Sequence, residues 1–302
     1  MNILSIKNIN KSFKEKSVLK NIYLNIDEGE ILGLIGPNGA GKTTIMKIIS
    51  GLIHQDSGTI KICGLSLQDD RIKYLSEFSS IIENPSLYEM MSGYENINFI
   101  RKLNKVSIEK MNSIIEFINI GDAINDKVKT YSLGMKQRLS LGIALLTEPK
   151  LLILDEPTNG LDPEGVLNLR ELIIKSAKKN KMSVLISSHI LSEIDKICTR
   201  VIFIKDGQLI ENEKIEKDKE TQTIILTVND VNSIYEKIKD IDIVSKVTIK
   251  DDKIYMYINK NNTSRLMSIL VEKHVEYENI EISNNSIESI YKDIYLGGKK
   301  NE

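Results

Sequence analysis

"GPNGAGKTT", residues 36–44, decides the fold. It fits G-x-x-x-x-G-K-[ST], a pattern that chance produces in about one chain in a hundred of this length. Its surroundings strengthen the assignment. The apolar run "EILGLIG" (30–36) precedes it and the helix-forming "TIMKIIS" (44–50) follows. That is the strand–loop–helix order a phosphate-binding loop requires. Glycines let backbone N–H groups close around phosphate oxygens, and the helix N-terminus adds its dipole. Gly36, Pro37, Asn38, Gly39, Ala40, Gly41 and Thr44 would form the cradle. Lys42 can reach the β- and γ-phosphates, and the Thr43 hydroxyl can ligate Mg²⁺.

A second group lies at "LLILDEPTNGLDP", residues 151–163. Four apolar residues deliver Asp155 and Glu156 to the C-terminal edge of a strand, where ligands of open α/β sheets bind. Asp155 is placed to hold Mg²⁺ through water, which frees Glu156 to polarise an attacking water as general base. Alone, this would be an acidic strand end. Beside a phosphate loop it reads as chemistry.

The bulk properties set limits. At 302 residues the chain exceeds the usual size of one core, so two units are expected. Hydrophobic content of 41% and charged content of 27% describe an ordinary globular protein. Lys plus Arg number 41 against 42 Asp plus Glu, net −1, which offers no basic footprint for nucleic acid. Cys63 and Cys198 are too few for a disulfide framework or a Cys-type zinc site. They fit a reducing cytosol and read as small buried hydrophobes. The N-terminal "MNILSIKNINKSF" alternates apolar and polar residues, so it reads as a strand rather than a signal peptide. No run approaches the roughly 18 apolar residues needed to cross a bilayer, so the chain itself is expected to lack a membrane span.

Residues 1–212 alternate short β-rich runs with helical patterns, the mark of an α/β unit with a largely parallel sheet. "EILGLIG", "SSII" (79–82), "LLILD" (151–155) and "SVLISS" (183–188) are near-continuous apolar runs, as strands covered on both faces need. "ILSIKNI" and "VLKNIYLNI" alternate and read as antiparallel, "TIKICG" adds a strand, and "RVIFIKDGQLIEN" is a hairpin turning at Asp206-Gly207. Residues 86–150 read as a helical insertion, with Met90 and Met91 as core or interface fillers. The charge-mixed "ENEKIEKDKE" (211–220) reads as a linker, at the least over 213–220. Residues 221–302 then follow a β-α-β-β-α-β order with a turn at Asp251-Asp252. That order predicts a small α+β, ferredoxin-like accessory domain, with His274 as a helix-end or surface residue.

With these pieces in place, the chain resembles the ATP-binding subunit of an ABC transporter over residues 1–212. "YSLGMKQR" (131–138) resembles that family's signature motif, "GLD" (160–162) its D-loop and "SSH" (187–189) its switch histidine. The resemblance implies an α/β P-loop ABC ATPase fold with an antiparallel β subdomain, and ATP sandwiched between two such domains in a head-to-tail dimer. Ser132 and Gly134 would contact the γ-phosphate held by the opposite subunit, and Asp162 would belong to the same interface. His189 would bridge the γ-phosphate and Glu156, and Phe13 would stack on adenine. Leu133 stands where the family commonly has Gly. One P-loop and no membrane span imply separate membrane permease subunits, a homodimer or heterodimer docked under them, and a place on the cytoplasmic face of the membrane. Two other classes are a regulatory protein that holds ATP without turnover and an ABC ATPase acting on DNA or the ribosome. The intact Lys42, Asp155, Glu156 and His189 argue against the first, the charge balance against the second.

"SSIIENPSLYEMMSG" (79–93) carries a further sign. Glu83 stands where most of the family has Gln, and in this it resembles the lantibiotic-immunity subgroup. The "YSLGMKQRL" form of the signature and the C-terminal "SIESIYKDIY" point to the same bacitracin-resistance and lantibiotic-immunity exporters. A Glu keeps an oxygen ligand and adds negative charge toward a hard cation, so Glu83 is expected to join Thr43 and Asp155 around Mg²⁺ and to couple nucleotide state to transport.

Overall fold

The structure is a computed structural model that describes residues 1–83, 86–210, 221–250 and 253–284, with Ile287, Tyr291, Ile294 and Tyr295. The linker run at 211–220 and the Asp251-Asp252 turn lie outside the described residues, as does most of "SIESIYKDIY". The chain divides into two compact units, Met1–Glu213 and Lys214–Glu302.

The first unit opens with β1 (Asn2–Phe13) and β2 (Lys16–Asp27), followed by β3 (Ile31–Ile35), α1 (Lys42–Ile49), β4 (Ser57–Ile62), α2 (Arg71–Ser76) and β5 (Phe78–Ile81). Three helices come next: α3 (Gly93–Leu103), α4 (Ile108–Ile118) and α5 (Leu133–Leu145). The unit closes with β6 (Leu151–Asp155), α6 (Pro163–Asn180), β7 (Ser183–Ser188), α7 (Leu191–Ile197), β8 (Arg200–Lys205) and β9 (Gln208–Ile210).

Two sheets result. β1, β2 and β4 form an antiparallel layer in the order β2-β1-β4, as their alternating sequences predict. The second sheet runs β5-β6-β7-β3-β8-β9 and is parallel except for the β8–β9 hairpin. That hairpin turns at Asp206 and Gly207, both with positive φ, the conformation of a type I′ turn. Every residue of β3, β6 and β7 is buried, which accounts for their consecutive apolar residues, with Asp155 and the serines of β7 buried among them. Leu4, Ile6, Ile22 and Leu24 of the antiparallel layer join Leu32 and Leu34 of β3 and Ile45 and Met46 of α1 in one apolar cluster.

A close glycine contact lies within the antiparallel layer. β1 bulges between Lys7 and Asn10 where it faces β4, and Asn8 adopts φ 55°. Gly58 lies against this bulge with φ 94°, and a Cβ there would come within 2.3 Å of the Asn8 carbonyl oxygen. A side chain would need both a strained backbone and a displaced strand. Gly58→Ala is therefore expected to destabilise the protein by about 2 kcal/mol or more, read as a lower midpoint in urea unfolding.

The helices α3, α4 and α5 pack on one another, and α5 also packs against β5 and α6. Each starts from a serine cap: Ser92 in a full capping box with Glu95, Ser107 and Ser132. Of the core or interface role expected for Met90, the structure excludes the core. This residue is 66% exposed, because the turn at 88–91 is held by polar groups: Asn96 Oδ1 accepts from the Tyr88 N–H at 2.9 Å, and the Asn96 amide donates to the Tyr88 carbonyl at 3.1 Å.

The second unit contains β10 (Thr221–Thr227), α8 (Val231–Ile238), β11 (Val244–Lys250), β12 (Lys253–Asn259), α9 (Thr263–Glu272) and β13 (Asn279–Asn284). Its sheet is antiparallel in the order β11-β12-β10-β13. Ile224, Leu226, Ile254, Met256 and Ile258 alternate onto one face and form a core with Ile234, Ile238, Leu266 and Leu270 of the two helices. His274 follows the end of α9 with φ 48°, and its carbonyl accepts from the Lys237 ammonium at 2.9 Å.

Among the described residues no helix is long and apolar enough to cross a membrane. Cys198 is buried; Cys63 is half-buried, and desolvation pushes its thiol up to about 11, which suits an inert packing role.

Candidate functional site

The site grows from the ends of three parallel neighbours. β3 runs into the loop 36–41 and then into α1, whose first turn contains no acidic residue and no side-chain cap. α3, α4, α5 and α6 differ, since a Ser or Asp side chain satisfies an N–H in each first turn. The N-terminus of α1 is thus left to an anion. Gly41 makes the turn possible. It sits at φ 114°, and a Cβ there would strike Leu19 Cδ2 at 2.7 Å.

Lys42 enters this loop as a buried ammonium, 6% exposed. It donates to the carbonyl oxygens of Gly36 (2.7 Å) and Pro37 (3.3 Å) and lies 3.4 Å from Oε1 of Glu156. Thr43 donates its hydroxyl proton to Oδ2 of Asp155 at 2.7 Å. Parallel pairing of β6 with β7 sets Asp155 opposite Ser187, whose hydroxyl donates to Oδ1 of Asp155 at 2.6 Å. The same Ser187 oxygen accepts from the Glu156 N–H at 2.9 Å. Glu156 adopts φ 49°, a left-handed conformation in which the chain leaves the strand sharply. Its Oε2 lies 2.5 Å from Nδ1 of His189, which follows β7. Glu156 therefore stands between a cation and an imidazole.

Lys42, Thr43, Glu156 and His189 line a cavity of about 240 Å³ together with Asn38, Gly39, Gly41, Thr44 and Asn159, with Asp155 and Ser187 hydrogen-bonded behind Thr43 and Glu156. Among the described residues no group of three His, Cys, Asp or Glu side chains could hold a metal by itself. A hydroxyl and a carboxylate in contact, Thr43 and Asp155, would supply oxygen ligands of the kind a hard cation takes. The residues fit such an ion.

The other expected site residues have different surroundings. Ser132 caps α5, accepting from the Met135 N–H at 3.2 Å; Leu133 and Gly134 follow in its first turn, and Leu133 is exposed. Asp162 caps α6, accepting from the Gly165 N–H at 3.0 Å. Phe13 is exposed at the end of β1, with the Lys11 ammonium 5.3 Å from its ring centre. Glu83 lies two residues beyond β5 and pairs with Lys47 of α1, Nζ to Oε1 2.6 Å. None of these lines the cavity. Ser187 and Asn159, by contrast, belong to the site without having been singled out. Ser187 is revealed by strand register, Asn159 by its place just after the acidic strand end.

The chain matches the ABC transporter family over residues 19–159. It is 33% identical to the bacitracin transport ATP-binding protein BcrA of Bacillus licheniformis, over 98% of each chain. The chain belongs to the ABC transporter ATP-binding proteins. It is also 44% identical to the lantibiotic transport ATP-binding protein SrtF of Streptococcus pyogenes, over 69% of this chain and 89% of that one. With the ABC transporter ATP-binding protein YhcH of Bacillus subtilis (strain 168) it shares 35% identity over 97% and 95% of the two chains. Among solved structures, the ATP-binding subunit of an ABC transporter superposes with TM-score 0.64 at 29% identity, over 72% of this chain and 93% of that one. The cbiO1 protein of Clostridium perfringens, part of the cbiONQ transporter complex, gives 0.63 at 27%, over 70% and 87%. As an ABC transporter ATPase the chain binds ATP.

Proposed function

We propose that this chain is the ATP-hydrolysing subunit of an exporter that protects the cell from membrane-active peptide antibiotics of the bacitracin or lantibiotic kind. The observation that carries the cargo reading is the end-to-end likeness to the bacitracin transport protein, which includes the second unit rather than the ATPase alone. In this reading Lys42 turns its ammonium from the loop carbonyls to the β- and γ-phosphates. Thr43 and Asp155 would hold Mg²⁺, which would supply positive charge to the phosphate oxygens. Glu156 takes a proton from the attacking water as its oxygen bonds to the γ-phosphorus. The bond to the bridging oxygen breaks, and ADP leaves with that oxygen's electron pair. His189 holds the Glu156 carboxylate toward the water.

Two copies would meet head to tail, each offering Ser132 and Gly134 to the other's nucleotide, with Asp162 at the same interface and Phe13 against adenine. The assembly would sit on the cytoplasmic face of the membrane under separate permease subunits. A groove of about 790 Å³ in the first unit, lined by Leu52, Leu75, Phe78, Leu87, Ile100 and Ser140 among others, suits a short permease segment. The buried Ser140 hydroxyl has no hydrogen-bond partner among the described residues, so such a segment would gain by presenting a carbonyl to it. The second unit, with its β-α-β-β-α-β order, serves as a ferredoxin-like accessory domain.

Deletion in the native host, followed by a sensitivity screen over peptide antibiotics, tests the proposal. Increased sensitivity to at least one cell-envelope peptide, restored by the parent chain, is the expected result. Unchanged sensitivity to all of them would end the cargo reading and leave the ATPase assignment standing.

A further inference from the structure

Glu83 and Lys47 are 36 residues apart in sequence, and their pairing joins the helix that follows the phosphate loop to the segment that leads into the helical part. Lys47 stands one turn beyond Thr43 on α1, on the same face of the helix. Its Cα therefore lies about one helical pitch, ~5 Å along the axis, from that of the threonine assigned to the metal. Glu83 is held at φ 65°, an uncommon conformation for a residue with a side chain, and its carboxylate is 62% exposed.

The far end of the same segment is fastened elsewhere. The Glu89 carbonyl accepts from the Lys129 N–H and the Met91 carbonyl from the Val128 N–H, both at 3.0 Å. The Glu89 carboxylate pairs with Lys136 of α5, at 2.7 Å, one turn from the Ser132 cap. One end of the segment thus rides on the helix bearing Ser132. The other ends in a carboxylate tied to α1 by an accessible ion pair, the weak kind that a stronger cation can displace.

We propose that Lys47 is a positioning residue that competes with Mg²⁺ for the Glu83 carboxylate. In the nucleotide-free protein Lys47 parks Glu83 one turn away from Thr43. When Mg²⁺–ATP occupies Thr43 and Asp155, the carboxylate leaves the ammonium for the divalent ion. This inference rests on the Mg²⁺–ATP reading above.

The test is calorimetric titration of the full chain with the non-hydrolysable imido analogue of ATP over a range of Mg²⁺ concentrations. Lys47→Met is expected to lower the Mg²⁺ concentration needed for half-maximal binding by about two- to fivefold, the range an exposed ion pair supplies. The shift should vanish when Lys47→Met is made in a Glu83→Gln background, and Lys47→Arg should behave as the parent. In the nucleotide-free protein, Glu83→Gln should also move the NMR signal of the Lys47 ammonium. Weaker binding in Lys47→Met would mean that Lys47 serves the phosphates directly. An unchanged Mg²⁺ requirement, or an equal shift in both backgrounds, would equally overturn the competition. A parent chain that binds no analogue at all would instead remove the ATP reading, and this inference with it.

Discussion

Glu156→Gln is expected to reduce ATP turnover by about 10²- to 10⁴-fold while nucleotide binding persists, the share that a positioned general base contributes to such a reaction. The substitution keeps the side-chain volume and one oxygen, so the backbone turn at φ 49° and the contact toward His189 need not rearrange. What it removes is a proton acceptor held between Lys42 at 3.4 Å and His189 at 2.5 Å. Steady-state phosphate release gives the rate, and binding of a fluorescent ATP analogue gives the affinity. Turnover within tenfold of the parent would exclude Glu156 as the base.

Lys42→Ala should give the opposite pattern, with affinity for Mg²⁺–ATP falling by about 10- to 100-fold. Hydrogen bonds to a charged group contribute ~1.5–3 kcal/mol, and 1.4 kcal/mol is a factor of ten. The ammonium is already desolvated and held by the Gly36 and Pro37 carbonyls, so nucleotide binding exchanges existing contacts rather than burying a new charge. Its removal also leaves Glu156 facing the phosphates without its cation, which adds repulsion to the lost attraction. The same binding assay reads the change, and a melting temperature confirms that the variant is folded. Binding within threefold of the parent would place the phosphates elsewhere. The two variants form a crossed test: one loses turnover with binding kept, the other loses binding first.

The elements that could be read from sequence are those whose physics is local. "LLILD" and "SVLISS" announce β6 and β7 residue for residue, because a strand covered on both faces carries consecutive apolar residues, here Leu151–Leu154 and Val184–Ile186, rather than an alternating pattern. "SSII" reads one position late, since β5 begins at Phe78, where apolar and helical signals overlap at the end of α2. The phosphate loop is visible for the same local reason. Ser187 is not, because its role depends on which residue of β6 it faces, and parallel register cannot be counted along one strand. The Lys47–Glu83 pair joins residues 36 apart and leaves no periodic trace. For Met90 the apolar side chain left core and interface both open, and polar anchoring by Asn96, which has no sequence trace, places it at the surface.

The Ser187 bridge governs which parts of the machine can yield. Asp155 and Ser187 lie on neighbouring central strands, both buried, with their hydrogen bond inside the sheet rather than on a loop. Fraying or loop opening cannot take such a pair apart; only a fluctuation approaching global unfolding exposes it. Glu83 and Ser132 are exposed, on a loop and at a helix start. Amide exchange is therefore expected to be slow at Asp155 and Ser187 and faster at Glu83 and Ser132.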